Sequence, residues 1–238
     1  MLARALDGAA ALFWVVPPNG QVSPAAAWLD FTRPAAAVLA RHGVRHVVGV
    51  SALGRGTPVA GRAGLVTASL AMDDLIASTG VAYRALANPS FMDNLLEDVE
   101  SLRAGGVWTG TAAPDRPAPA AATRDIAAAG ARLLLHRDWT GSGEVPVLGP
   151  EDISPIEMAQ VMSEVLGRPI RYQRQLYEDL SAELIGYGLD KDFAAGMADM
   201  MRAKDDGLDA GVLRTPDNSL GMTFRQWCTD VLKPAVEQ

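Results

Sequence analysis

The chain of 238 residues has one cysteine, three histidines and no surplus of basic residues. Each shortage removes a class of function. With Cys228 alone, an internal disulfide and a cysteine-built metal site are excluded. Its setting, FRQWCTDVL, reads as an amphipathic helix with a packed thiol. His42, His46 and His136 lie at segment junctions; His42 and His46 stand four apart, but Gly43 ends the helix between them and Val44 begins a strand, so the two imidazoles do not share a helical face and no metal site is expected. A net charge of −7 offers no excess of cations to displace counterions from a phosphate backbone. The scattered Lys and Arg make no local patch, and no nucleic-acid partner is expected. No apolar run reaches the ~18 residues needed to span a bilayer. Arg4 followed by the apolar stretch Ala9 to Val16 is a poor export signal, because Asp7 interrupts it, Pro17 and Pro18 end it, and no A-x-A-like cleavage site follows. The cytoplasm is the expected location.

What is present is ordinary for a globular enzyme-sized chain: 49% hydrophobic and 21% charged residues, enough for one large domain or a domain with an appendage. The apolar segments alternate in kind. Ala11 to Val16 is a continuous apolar run stopped by prolines, as in a strand buried on both faces. Ser23 is a helix N-cap with Pro24 at the first helical position, Pro34 should kink or divide that helix, and Gly43 stands where a C-cap belongs. Val44 to Ala52 is the next strand. A second helix runs from Arg62 to Thr79, with Leu65, Met72, Ile76 and Thr79 on one face. Then follow a strand at VAYRALANP, a helix from Ser90 to the paired Gly105 and Gly106, and an irregular Pro/Ala-rich loop, TAAPDRPAPAAAT. Asp125 to His136 is helical and EVPVLGP is a short strand. Ser154 and Glu157 form a capping box around Pro155, opening a helix that Gly167 and Pro169 end. IRYQRQ reads as one more strand. Leu176 to Leu208 is helical and rich in methionine, and a last helix spans about Thr223 to Val236.

Strand and helix alternating with short apolar strands means a parallel α/β sheet. The expected architecture is a Rossmann-like core over residues 1–150 and a mostly helical cap over residues 151–238. In open parallel sheets ligands bind outside the carboxyl ends of the strands. That rule selects Val16 to Asn19, Ser51 to Leu53, and Asn88 to Phe91, three separated loops that would converge on one crevice.

The segments ALDGAAALFWVVPP, GVRHVVGVSALG, STGVAYRALANPSFMDNLL, TRDIAAAGARLLL and VPVLGPEDISPIEMAQVMSEVLGRPIRY follow one another in an order that resembles the NmrA-like branch of the atypical short-chain dehydrogenases. The resemblance covers nearly the whole chain, and LGPEDISPIEMAQVMSEVLGRP is its most specific part. It implies an NAD(P)-binding Rossmann protein. Some members resemble NAD(P)H-dependent reductases of quinones or small carbonyl compounds, and others bind the dinucleotide as redox sensors without turnover. It further implies that Val16, Pro17 and Pro18 pass the adenosine and ribose side of NAD or NADP. Ser51 and Ala52 would stand near the nicotinamide, with Asn88, Pro89, Ser90 and Phe91 at the nicotinamide end. There the family's arginine–proline–glycine pattern has become Ala87, Asn88, Pro89.

Two family features are missing from these 238 residues. There is no G-x-x-G-x-x-G turn; Gly54 to Gly61 (GRGTPVAG) follows a strand but carries a proline inside it. By the family order, two βα units and a third strand, roughly 60 residues, would precede Ala11. A mis-assigned start, a fragment, and a short variant whose sheet is completed by a partner subunit or rearranged are competing explanations. Without those elements the donors for a diphosphate are absent, which argues against retained dinucleotide binding. The sheet edge they leave open is expected to be covered, with a second copy as the candidate. The Y-x-x-x-K pair is also missing from the Arg62–Thr79 helix, and the match at YGLDK (Tyr187 to Lys191) lies in the cap and reads as coincidence.

Ser51 is the catalytic candidate among the residues, with it or a water supplying the proton to a small-molecule substrate in place of the missing tyrosine, against the simpler role of capping backbone groups. Asp73 and Asp74 are adjacent on their helix and read as a solvated face. Trp108, Tyr177, Phe193 and the methionines of the cap read as core packing ahead of a substrate pocket. An NAD(P)H-dependent oxidoreductase is the first functional expectation. A non-catalytic sensor or interaction protein of the same fold is the second. An isomerase or cyclase using the cap pocket without a nicotinamide is a third that no residue demands.

Overall fold

The structure, a computed structural model, describes Arg4 and residues 6–238. In chain order its strands are β1 (Ala11–Trp14), β2 (His46–Ala52), β3 (Ala82–Asn88), β4 (Ser90–Phe91), β5 (Val107–Gly110), β6 (Ala118–Ala121), β7 (Ser142–Pro146), β8 (Asp152–Ile153) and β9 (Arg171–Arg174). The helices are α1 (Phe31–Ala36), α2 (Leu65–Ala77), α3 (Val99–Gly105), α4 (Thr123–Leu135), α5 (Pro155–Leu166), α6 (Tyr177–Gly186), α7 (Lys191–Asp205), α8 (Phe224–Trp227) and α9 (Lys233–Glu237).

β1, β2, β3 and β7 form a parallel sheet in that order, as the alternating pattern predicts. Its two faces are read directly from the strand period. Val47, Tyr83 and Ala85 pack with Met72 and Ile76 of α2, whereas Val48 and Leu86 pack with Ile126 and Ala129 of α4. Each valine, leucine, isoleucine or methionine among them removed from water contributes roughly 1.5–3 kcal/mol before the entropy of ordering it. A further cluster joins Met92, Leu95 and Leu102 to Met162, Phe224, Trp227 and the buried Cys228. Among the described residues nothing pairs with the outer edge of β1.

Three local expectations change. Pro34 does not divide its helix: five residues, Ala26–Asp30, widen into a π turn in which Phe31 N–H reaches back to Ala26 O, and α1 continues through the proline. The widening lies in the turn whose carbonyls the proline ring would crowd. The segment Ser90 to Gly106 is not one helix but β4, a 3-10 stretch (Met92–Asp98) and then α3. The Pro/Ala-rich loop contains β6, which lies between β4 and β8 and is parallel to the first and antiparallel to the second. Ala118–Ala121 has little strand propensity of its own, so its partners, distant in sequence, decide its conformation.

The capping box at α5 forms as read: Ser154 Oγ accepts from Glu157 N–H while the Glu157 carboxylate accepts from Ser154 N–H at 2.8 Å. The helical tail docks on the sheet's carboxyl end. Leu189 meets Gly20, Asp190 N–H donates to Gly20 O at 2.8 Å, and Phe193 packs with Ala27 and Leu65. The start of α2 touches α7 backbone to backbone: Gly64, at φ +49°, faces the carbonyl of Gly196 so closely that a Cβ would clash with it.

Candidate functional site

The register β2–β3 sets Ser51 opposite Ala87 and Ala52 opposite Asn88, so two of the three predicted loops leave the sheet side by side. Asn88 is 1% exposed. Its Nδ2 donates to Ser51 O at 3.0 Å and to Leu86 O at 2.8 Å, and Leu53 N–H donates to Asn88 O at 3.0 Å. Its Oδ1 is buried with no partner. An orphaned buried acceptor is costly, typically ~1–3 kcal/mol, and is a place where a donor from a ligand would be stabilised. β1 ends opposite Gly49 at Trp14, and two residues further Val16 stands level with Ser51; it is buried, whereas Pro17 and Pro18 are exposed. Pro89 is buried, Ser90 is exposed and Phe91 is half-buried.

The side chain of Ser51 belongs to a polar cluster that the sequence reading missed. Its Oγ donates to Asp73 Oδ2 at 2.5 Å and lies 3.3 Å from Ser69 Oγ. Tyr83 Oη donates to Asp73 Oδ1 at 2.6 Å. Asp73 is 3% exposed. The expectation that Asp73 and Asp74 form a solvated face is corrected for Asp73: one helical step apart, Asp74 turns to water and Asp73 turns under α2 toward the sheet. The signal was available. Leu65, Ser69, Met72, Asp73 and Ile76 fall on one helical face, and a strand glycine, Gly49, leaves the space that the Tyr83 ring fills. A tyrosine inside a buried strand also needs a partner for its hydroxyl.

Arg55 closes the cluster toward solvent. Its Nε donates to Glu144 at 2.9 Å, Nη1 pairs with Asp74 at 2.9 Å, and Nη2 donates to Leu70 O at 3.2 Å while lying 3.8 Å from Asp73 Oδ2. Burial pushes the Asp73 carboxyl up to about 6, against the Ser51 and Tyr83 hydrogen bonds and the Arg55 charge, all of which favour the carboxylate. Burial also raises the Tyr83 phenol, reinforced by the negative Asp73 beside it. Arg55 loses some basicity to burial, but Glu144, Asp74 and Asp73 outweigh that and hold it above its ordinary value.

Elsewhere the residues behave structurally. Tyr187 of YGLDK is exposed and, among the described residues, its hydroxyl bonds only Glu183. Tyr177 donates to Asp205 at 2.5 Å, Trp108 packs on Tyr172, and Phe193, Met197 and Met200 fill the seam with the core. Burial raises the Cys228 thiol to about 12, which leaves it unreactive. Among the described residues no cluster of metal-ligating side chains occurs, and no helix is long and apolar enough to cross a membrane.

No family model matches the chain. In sequence it is similar to a (4-alkanoyl-5-oxo-2,5-dihydrofuran-3-yl)methyl phosphate reductase of Streptomyces griseus, 31% identical over 172 residues, covering 72% of the chain and 57% of the relative. It is also similar to an NAD(P)H azoreductase of Xenophilus azovorans, 27% identical over 150 residues, covering 63% and 52%. The chain thus spans little more than half the length of these relatives. Among solved structures it superposes on a nucleoside-diphosphate-sugar epimerase from Staphylococcus aureus with a TM-score of 0.77 at 18% identity, covering 96% of the chain and 79% of the other. The NADPH complex of the quinone oxidoreductase QOR2 from Escherichia coli gives 0.74 at 21%, covering 97% and 79%. NmrA, described as a negative transcriptional regulator, gives 0.63 at 15%, covering 99% and 78%.

Proposed function

The chain has the Rossmann-like fold of NmrA and the NAD(P)H-dependent quinone reductases, and from that premise we propose that it is an NAD(P)H-dependent reductase of a small carbonyl or quinone-like compound. The observation that carries the reading is the pairing of Ser51 with Asn88 at the carboxyl ends of β2 and β3, where a buried acceptor, Asn88 Oδ1, lacks a partner. An unpartnered acceptor suits the amide N–H of a nicotinamide. Val16, Pro17 and Pro18 would flank the ribose side, Ser51 and Ala52 the ring, and Asn88 to Phe91 the amide end. When bound, the nicotinamide supplies a hydride. This chain's own part is to orient the ligand against the three loops, and Ser51 is the proton donor to a ligand oxygen. The fit is confined to that end: among the described residues no glycine-rich turn offers the N–H groups that a diphosphate needs. A second copy packed along the open edge of β1 would bury that strand.

A second reading, a dinucleotide or redox sensor without turnover, is favoured by one feature. Ser51 is 6% exposed and its hydrogen is committed inward to Asp73. Titrating the purified chain with NADPH and NADH by cofactor fluorescence, then following nicotinamide oxidation with menadione, decides between them. Micromolar binding with oxidation supports the reductase. Binding alone supports the sensor, and no binding of either nucleotide refutes both.

A further inference from the structure

The cluster beneath Ser51 contains more groups than are needed to hold a strand end. Asp73 Oδ1 is occupied by the Tyr83 hydroxyl, and that hydroxyl has no other hydrogen-bond partner among the described residues. Oδ2 is occupied by Ser51. Arg55 and Asp74 approach from the loop after β2 and from α2, Glu144 from β7, and Ser69 from one turn before Asp73. With Oδ1 filled by a donor, a proton added to the carboxyl resides on Oδ2, the oxygen that Ser51 addresses. The hydrogen bond then reverses: Oδ2–H donates to Ser51 Oγ, and the serine hydrogen must leave its inward position. The other group within reach, Ser69 Oγ, is at 3.3 Å, far longer than the 2.5 Å bond given up.

We infer that Asp73 is a positioning residue that sets which way the Ser51 hydroxyl points: inward as donor to the carboxylate, or outward as donor to an oxygen of a carbonyl or quinone ligand held at the end of β2. The inference rests on the proposed reading that Ser51 faces the ligand. Neutralising Asp73 makes Ser51 a donor at the end of β2; ionising Asp73 withdraws it. Burial brings that change to about pH 6. Arg55, with Glu144 and Asp74 as its other partners, is the exposed end of the cluster through which water exchanges the proton.

Two measurements on the full chain test it. The first needs no ligand: the Asp73 carboxyl is followed by carbon-13 NMR across a pH series in the wild type and in Ser51→Ala. The midpoint should stand near 6 and move upward in the variant, because the carboxylate loses a donor; an unmoved midpoint overturns the inference whatever the protein's substrate. The second is equilibrium dialysis against menadione without nucleotide. Wild-type affinity should fall about five- to tenfold, the worth of one hydrogen bond, between about pH 5 and about pH 8. Asp73→Asn, whose Oδ1 accepts from Tyr83 and whose Nδ2 donates to Ser51, should hold the high affinity at both ends. Ser51→Ala should hold the low one. A pH dependence that survives in either variant overturns the inference. Menadione binding absent from every variant sinks the proposed substrate class instead, and the NMR result then decides the inference alone.

Discussion

Burying Asp73 beneath two hydroxyl donors makes the stability of the chain depend on pH, with a sign fixed by the direction of its shift. The carboxyl titrates at about 6 in the folded protein and near its ordinary value of 3.8 when the chain unfolds. Between those values the folded state binds more protons, so this residue's contribution is fully present below about pH 4 and is lost as pH rises toward 6. Asp73→Asn removes the dependence. The stability of the variant relative to wild type should therefore rise by roughly 3 kcal/mol from about pH 4 to about pH 7 in urea denaturation. A constant difference would mean that Asp73 does not titrate in that window. At this scale the sequence was half legible. Ser51, Asn88 and Val16 could be picked out because strand ends in a parallel sheet converge, a consequence of topology alone. Asp73 and Tyr83 were each recognisable as buried, but their pairing with each other depends on how α2 sits over β2 and β3, which sequence periods do not fix.

Elements are joined here by close backbone approach as well as by apolar faces. Gly64 precedes α2 at φ +49° and stands against the carbonyl of Gly196 within α7. Gly64→Ala meets two costs together, a disfavoured backbone region for a residue with a Cβ and a clash with a fixed backbone atom. A loss of about 2–4 kcal/mol is expected, read as a lower midpoint in thermal unfolding, whereas Gly61→Ala, where a Cβ meets nothing, should leave the midpoint within about a degree. The strands of the main sheet, the helix over Leu65–Ala77 and the capped helix at Ser154 were legible because each carries its own periodicity or cap. β6 was not: Ala118 and Pro119 become a strand only by pairing with Ile153 and Asp152, and their local composition says loop. The π turn at Ala26–Asp30 was also hidden, since Pro34 announces a disturbance without saying how the backbone absorbs it.

For the whole molecule the open edge of β1 is the defining exposure. Phe13, Val15 and Phe31 are 40%, 49% and 48% exposed around it, and no charge interrupts Ala11 to Val16. An uncharged apolar edge pairs readily with another chain. On the proposal that a second copy packs there, Val15→Lys should shift the protein toward monomer in sedimentation velocity, and an unchanged profile would show that copies do not meet at this edge. Cys228 adds a property of another kind. It is the chain's only thiol, it is 0% exposed, and it lies among Trp227, Phe224 and Leu232 in the cluster that ties the C-terminal helices to the segment after β3. A thiol reagent in solution can reach it only when that seam parts. The rate at which the chain is chemically marked is then a clock for its own rare openings, read from a mass change and needing no introduced probe.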